Sequence, residues 1–346
     1  MGIRRCKTLL TVLVAGFAFA GAAHAQPLTK LRFTLDWRYE GHLSYFMMAK
    51  AKGYYEKEGL DVSVDSGAGS VATLNRLIGG SHDMGSADLS AVIEFLGNNP
   101  GMAGRFQAVY LLYNRSPMMV QALRKSGIRR PQDLAGRKMA GPIFDSARKA
   151  FPIYARAIGI DPSSITWTSV DPAMRETLLA RGDVDATPGF ELDKLTLMGR
   201  GVREEDIVTF MYADAGVKLY SNVLLASSKL IEENPKAVAA MLRATNRALI
   251  EAVADPAESV SYLKQFDPLT DPQTALAKWN IQMRVINTDF AHANGLGAIS
   301  KADLENQVEQ VAAAFGLKTK PNPDQIFNSS FLPPKAERIP RTPPIK

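Results

Sequence analysis

The sequence predicts an α/β protein organised as two similar lobes. Short apolar runs alternate with segments of helical periodicity, the pattern of βαβ units with mostly parallel strands. One plan of helix, glycine stop, acidic turn and short strand occurs twice, in LNRLIGGSHDMGSAD (74–88) and RETLLARGDVDATPG (175–189), about 100 residues apart. The chain has 346 residues, more than one ordinary core organises. The echo alone also fits one large sheet, because helix–glycine–strand junctions are common in α/β proteins.

Residues 1–25 stand apart. Arg4, Arg5 and Lys7 form a basic start, Leu9 to Ala23 is nearly unbroken apolar sequence, and Ala23-His24-Ala25 is a small-x-small cleavage signal. The run is short for a bilayer span, which takes about 20 residues. A cleaved signal peptide is therefore expected, with mature protein from Gln26 outside the cytoplasm; an uncleaved anchor is the alternative. The whole chain carries 41 Lys+Arg against 35 Asp+Glu, a net +6. Losing three bases and no acids leaves about +3, which gives no case for nucleic acid. The single cysteine, Cys6, leaves with the signal and precedes the apolar run, so neither a lipid anchor nor thiol chemistry is expected.

The elements then follow in order. Leu31 to Asp36 reads as a strand, and a helix follows with Leu43, Phe46, Met47, Ala51 and Tyr54 on one face. Leu60 to Val64 is the second strand. Ser66 to Ser70 leads into a helix bearing Val71, Leu74, Leu77 and Ile78. Asp83 to Ser86 is the third strand, and Asp88 caps a helix over Leu89 to Leu96. In the second passage Ile165 to Val170 is a strand and Asp171-Pro172 an N-cap with proline at the first helical position. Met174, Leu178 and Leu179 form that helix's buried stripe, and Val184 to Thr187 is the next strand. Beyond Tyr220 the chain reads as helical. Asn234-Pro235, Asp255-Pro256 and Asp271-Pro272 look like caps, and Val238, Met241, Leu242, Thr245, Leu249 and Val253 share one helix face. The proline- and charge-rich stretch after Phe331 is expected to be poorly ordered.

Enzyme signatures are scarce. His42, His82 and His292 show no metal-ligand spacing, and there is no GxSxG elbow or Walker loop. GAGS (67–70) completes no dinucleotide fingerprint, although a glycine-flanked helix start can hold an anionic or polar group. No catalytic residue, metal or cofactor is expected. Polar and aromatic residues crowd instead at strand carboxyl ends, where open α/β sheets bind ligands. These are Asp36 to His42, Ser66 to Ser70, Ser86 to Ser90, Gly141 to Arg148 and Gly189 to Glu191.

LRFTLDWRYEGHLSYFMMAKAKGYYEKEGLDVSV, GAGSVATLNRLIGGSHDMGSADLSAV, RRPQDLAGRKMAGP, VDATPGFE and YSNVLLASSKLIEENP, in this order and spacing, resemble the NMT1/THI5-like solute-binding proteins of ABC importers. That family includes nitrate, sulfonate, taurine and thiamine-pyrimidine binders. LDW at the first strand leans towards the last branch. The resemblance implies a two-lobed periplasmic-binding-protein fold of type II with two crossovers and C-terminal helices. Lobe 1 would comprise residues 26–115 and 215–332, lobe 2 residues 116–214, with a flexible tail over 333–346. It further implies a periplasmic monomer that closes on one small molecule and presents it to an ABC permease with its cytoplasmic ATPase, without chemistry. A periplasmic sensor on the same fold is the alternative. Enzymes related to the pyrimidine synthase or the desulfinases would need cysteines that the chain beyond residue 25 lacks.

Asp36, Trp37, Tyr39 and His42 are then candidates for the first wall of the cleft. Trp and Tyr offer flat apolar faces with polar tips, and packing beneath the first helix is the alternative for Trp37. Ser70, Asp88 and Ser90 start helices at the mouth, with capping as their default role and ligand contact added. Phe144, Asp145, Ser146 and Arg148 open the matching helix of lobe 2, which contains Pro152. Arg148 is a candidate partner for a carboxylate or sulfonate, or else a solvated surface arginine. Phe190 and Glu191 follow the lobe 2 strand, and Tyr220 with Asn222 marks the return crossover. The acids favour an amine- or ring-nitrogen-bearing solute such as a pyrimidine; the helix N-termini and Arg148 favour a sulfonate, nitrate or carboxylate.

Overall fold

The computed structural model describes Met1 and residues 27–345. The expected signal segment, with Cys6 and the cleavage before Gln26, lies outside the described residues. Among the described residues ten strands form two five-stranded sheets. The first contains β1 (Thr29–Thr34), β2 (Leu60–Asp65), β3 (Met84–Asp88), β4 (Phe106–Leu111) and β10 (Asn222–Ser227) in the order β2-β1-β3-β10-β4. The second contains β5 (Met118–Leu123), β6 (Lys138–Gly141), β7 (Thr166–Ser169), β8 (Ala186–Phe190) and β9 (Ile207–Met211) in the order β7-β6-β8-β5-β9.

The two sheets share one design. β2, β1 and β3 run parallel, as do β7, β6 and β8. In each sheet the first strand after a crossing, β10 or β5, inserts antiparallel between the parallel set and the last strand. The chain therefore crosses twice between the sheets, after β4 and after β9. The segments that follow β1, β6 and β8 line the gap between the sheets, which positions the site.

Burial explains the elements. Edge strand β2 alternates buried Leu60, Val62 and Val64 with exposed Asp61, Ser63 and Asp65, whereas central β3 and β10 are buried throughout. One apolar cluster joins β1 and β2 to the helices Ser44–Ala51, Pro235–Ala254 and Pro272–Ile286, with fully buried Trp279 as its largest side chain. A second runs from the helices Ser70–Ile78 and Leu89–Asn98 into lobe 2, through Met118, Val120 and Phe151. The three Asx-Pro signals act as expected, since Asn234, Asp255 and Asp271 each accept a backbone N–H of the helix they start. The residues placed on the face of helix Pro235–Ala254 are all buried.

Some expectations are corrected. β1 ends at Thr34, so Asp36 lies in the loop beyond it. Asp171-Pro172 does not cap the following helix: a turn closed by the Met174 N–H on the Asp171 carbonyl intervenes, and the helix is Arg175–Arg181. Met174 is consequently exposed rather than part of a buried stripe. The tail expected to be flexible is instead tied down. Asn246 Nδ2 donates to the Glu337 carbonyl, Asn287 Nδ2 donates to Thr342 Oγ1 and the Pro343 carbonyl, and Arg338 is buried with its guanidinium on backbone carbonyls. These partners satisfy backbone groups that proline-rich sequence cannot pair within itself.

A candidate solute cleft between the two sheets

The cleft is built from the segment that follows β1. Gly67 N–H donates to the Trp37 carbonyl and Gly69 N–H to the Asp36 carbonyl, so the GAGS loop lies along Asp36 and Trp37 and fixes their direction. Asp36 is buried. Ser86 Oγ donates to its Oδ1 (2.7 Å) and Asn222 Nδ2 to its Oδ2 (2.6 Å), tying the floor of the cleft to β3 and β10. From the other sheet come Asp145 and Ser146 at the start of helix Ser146–Ala157, Arg175, and Phe190, Leu192 and Asp193 at the end of β8. Together these residues and Glu40, His42, Gly69 and Ser70 line one cavity between the sheets.

Arg175 dominates the electrostatics. It is 2 % exposed, and its Nε, Nη1 and Nη2 reach Glu176 (2.6 Å), Asp145 (3.0 Å) and Asp193 (2.6 Å). Its guanidinium carbon also lies 5.1 Å from the Trp37 ring centre, a cation–π contact between the lobes. Burial pushes the Asp145 and Asp193 carboxyls up, against the pull of Arg175. Burial would also raise Glu40, but Lys278, His42 and Arg38 outweigh it and hold that carboxyl at about 2. Lys278 Nζ stands 3.0 Å from Glu40 Oε2. Burial lowers His42 to about 4, with Glu40 opposing. At neutral pH the 3.9 Å His42–Glu40 approach is thus a neutral imidazole beside a carboxylate, and His42 Nδ1 has no hydrogen-bond partner.

This placement of His42 has a measurable consequence. Its folded pKa lies below the unfolded value of 6.5, so the unfolded chain binds the extra proton first on acidification. Stability from this group is full above pH 6.5 and lost as pH falls towards 4, by up to about 3 kcal/mol. Asp88, raised by burial to about 7 against the hydrogen bonds from Ser221 and its helix, acts in the opposite direction. The difference in Tm between the wild type and His42→Gln isolates the histidine. It should shift against the wild type between pH 6.5 and pH 4; a constant difference would refute the burial of a neutral imidazole.

Of the candidates from the sequence, the structure brings Asp36, Trp37, His42, Ser70, Asp145, Ser146 and Phe190 to this cavity. Tyr39 turns to a neighbouring cavity and donates its hydroxyl to the Val64 carbonyl. Asp88 and Ser90 lie beneath the cleft. Asp88 caps helix Leu89–Asn98 through the Ser90 and Ala91 N–H groups, and Ser90 Oγ accepts from Gln307. Ser70 does not cap its own helix but accepts the Asp88 N–H. Asn222 stands behind Asp36. Tyr220 donates to Asp303 and accepts the Ser300 N–H, away from the cleft. Glu191 pairs with Arg284 across the lobes at 3.1 Å, outside the cavity. Phe144 is exposed at the rim. Arg148 is turned away from the cleft altogether, donating to the Gly141 carbonyl and Ser169 Oγ with its guanidinium 4.7 Å from the Trp167 ring centre.

Sequence reasoning missed Arg175, Leu192 and Asp193, and reached Glu40 and Gly69 only within the strand-end stretches Asp36 to His42 and Ser66 to Ser70. Gly69 has φ of +123°, and a Cβ there would collide with the Phe144 carbonyl of the opposite lobe. Only glycine lets the two backbones approach this closely. Gly69→Ala should therefore hold the lobes apart and weaken ligand binding at least tenfold, with a Tm loss too small to signal unfolding. Calorimetric titration checks this, and unchanged affinity would mean that Phe144 does not close onto Gly69.

Chemically, the cavity offers the flat faces of Trp37 and Phe190, acceptors in Glu40, Asp145 and Asp193, and donors at two helix N-termini that begin with Ser70 and Ser146. No cation lining it is left unpaired among the described residues.

Residues 41–259 match the family described as "NMT1/THI5 like". The riboflavin-binding protein RibY of Chloroflexus aurantiacus is 25% identical over 327 residues, covering 91% of this chain and 89% of that protein. Among solved structures, the alkanesulfonate-binding protein SsuA from Xanthomonas axonopodis pv. citri, bound to MOPS, has a TM-score of 0.69 at 17% identity, covering 87% of this chain and 99% of that one. The periplasmic nitrate-binding protein NrtA from Synechocystis PCC 6803 has a TM-score of 0.61 at 14% identity, covering 88% and 87%. At these identities the two structures share the fold with this chain.

Proposed function

The chain belongs to the NMT1/THI5-like family, and from that premise we propose that it captures a planar, nitrogen-bearing ring solute in the periplasm and delivers it unaltered to an ABC importer. The observation that carries the choice of ligand is the state of Arg175. The one arginine in the cavity is already paired with three carboxylates and lies against Trp37, so no unpaired cation lines the cavity for a sulfonate or nitrate. The arginine that favoured an anion, Arg148, faces outward. Carboxylate acceptors suit ring N–H or amine donors, and the N-termini behind Ser70 and Ser146 suit ring carbonyls or imine nitrogens. Pyrimidines and flavins carry both kinds of edge on a flat face. The name of the relative RibY supports the same class.

Delivery follows from a clamp that closes on its load. Ligand-dependent closure would present both lobes to a permease together, and no step of the cycle requires the binding protein to break a bond. Purified protein is tested by thermal shift against riboflavin, aminopyrimidines, alkanesulfonates and nitrate. A true ligand at a thousandfold its Kd stabilises by about 4 kcal/mol through mass action. The expected result is a clear rise with a ring solute, which is recovered chemically unchanged. A rise with the anions alone, or consumption of the ring solute, would overturn the reading.

A further inference from the structure

The carboxylates lining the cleft are those of Asp36, Glu40, Asp145 and Asp193. The last three have cations at hand: Glu40 pairs with Lys278 and Arg38, Asp145 and Asp193 with Arg175. Asp36 is equally buried, yet it makes no ion pair among the described residues. Neutral donors hold it instead. The Ser86 hydroxyl accepts the Asp36 N–H (2.9 Å) and donates to Oδ1, while Asn222 Nδ2 donates to Oδ2. Burial pushes the Asp36 carboxyl up, and the hydrogen bonds from Ser86 and Asn222 pull it down. Each carboxylate oxygen carries two lone pairs, so one on each is left by these donors.

Asn222 is buried and does not itself line the cavity. It opens β10, where the two crossovers meet. Its carbonyl accepts the Leu112 and Tyr113 N–H groups of the chain leaving β4, and the Ser221 N–H donates to the Tyr113 carbonyl. The direction of its amide follows, because a carboxylate only accepts and so requires the nitrogen. Ser221 Oγ lies 3.3 Å from the amide oxygen. Asp36 thus stands in a loop beyond β1, but both of its oxygens are fixed from the inner strands β3 and β10. We propose that Asn222, together with Ser86, is a positioning residue of the binding site, acting through Asp36 to hold that carboxylate as the acceptor for the N–H edge of the ring solute. The inference rests on the ring-solute reading above. A carboxylate held only by its own loop turns about two side-chain torsions. One clamped at both oxygens by buried strand residues presents its remaining lone pairs in fixed directions. Hydrogen bonds to such a charged acceptor are stronger than those between neutral groups.

Calorimetric titration with paired probes tests this. One pair is 4-aminopyrimidine with 4-(dimethylamino)pyrimidine, the other riboflavin with N3-methylriboflavin; in each, methylation removes the ring system's N–H donor. In the wild type the N–H member of the pair that binds should hold about tenfold tighter or more, as for a hydrogen bond to a charged group. Asn222→Leu, which removes the donor at similar volume, should cut that preference about tenfold while the methylated probe's Kd stays within about threefold. Ser86→Ala removes the other donor, should lower the preference in the same sense, and guards against misfolding of the first. In an Asp36→Asn background neither substitution should change the preference further, since the group they act through is gone. A residue that only supports the fold would weaken both probes alike. An unchanged ratio of affinities in the folded variants, or a drop of the same size in the Asp36→Asn background, would overturn the positioning role while ring binding stands. If no ring probe binds the wild type, the ring-solute reading falls and the positioning role with it.

Discussion

Arg175→Ala is expected to cost about 3–5 kcal/mol of stability, the largest effect of any single substitution at the cleft. The cost is not that of three attractive contacts. Removing the guanidinium strands the carboxylates of Asp145, Glu176 and Asp193 together in a buried site, each 7 % exposed or less. They can escape only by taking up protons. In the variant the folded pKa values of Asp145 and Asp193, already raised by burial, rise further above their unfolded values. The folded state then binds more protons than the unfolded state, so the variant loses stability as pH rises. Its deficit relative to wild type should be greatest at pH 7–8 and should shrink towards pH 5, as chemical denaturation at both pH values will read. A deficit under about 1 kcal/mol at neutral pH would show that the guanidinium does not neutralise the cluster. Arg175→Lys, which keeps a charge but not the fork, should fall between.

Trp37→Ala should weaken ring binding by about 1–3 kcal/mol, by analogy with base–aromatic stacking. Trp37 is half-buried, packs on the first core and faces the cavity. Trp37→Phe keeps a face and should lose less. The same residue should report closure. Trp279 is fully buried with its indole N–H on the Ala252 carbonyl, and Trp167 is held between Arg148 and Phe151 outside the cavity. Ligand-induced change in tryptophan fluorescence should therefore vanish in Trp37→Phe while the fold persists. Wild-type affinity in both variants, with a much lower Tm, would assign Trp37 to the core alone.

The parts of the fold that local pattern controls were legible in the sequence. Strand alternation, glycine stops and Asx-Pro caps act within a few residues, and the strand-end rule led to Asp36, Trp37, His42 and Phe190. Orientation was not legible. Arg148 and Arg175 both stand near helix starts, and which one enters the cleft depends on distant partners. The Gly141 carbonyl, Ser169 and Trp167 claim the first; Asp145 and Asp193 claim the second. One signal was available, because a cation in the first turn of a helix opposes the helix dipole and so asks for nearby acids. The tail misled through composition. Its anchors, Asn246 and Asn287, lie 91 and 56 residues from their acceptors Glu337 and Pro343, beyond the reach of any local pattern.

The central claim is that the cleft selects a neutral or cationic ring over an anion because its arginine is spent on carboxylates. Competitive titration of one sample with a ring solute and an alkanesulfonate tests this most directly. The predicted result is one ring solute per chain, bound with equal affinity whether or not the sulfonate is present in excess. Displacement of the ring by the sulfonate, or sulfonate binding that Arg175→Lys weakens, would contradict it.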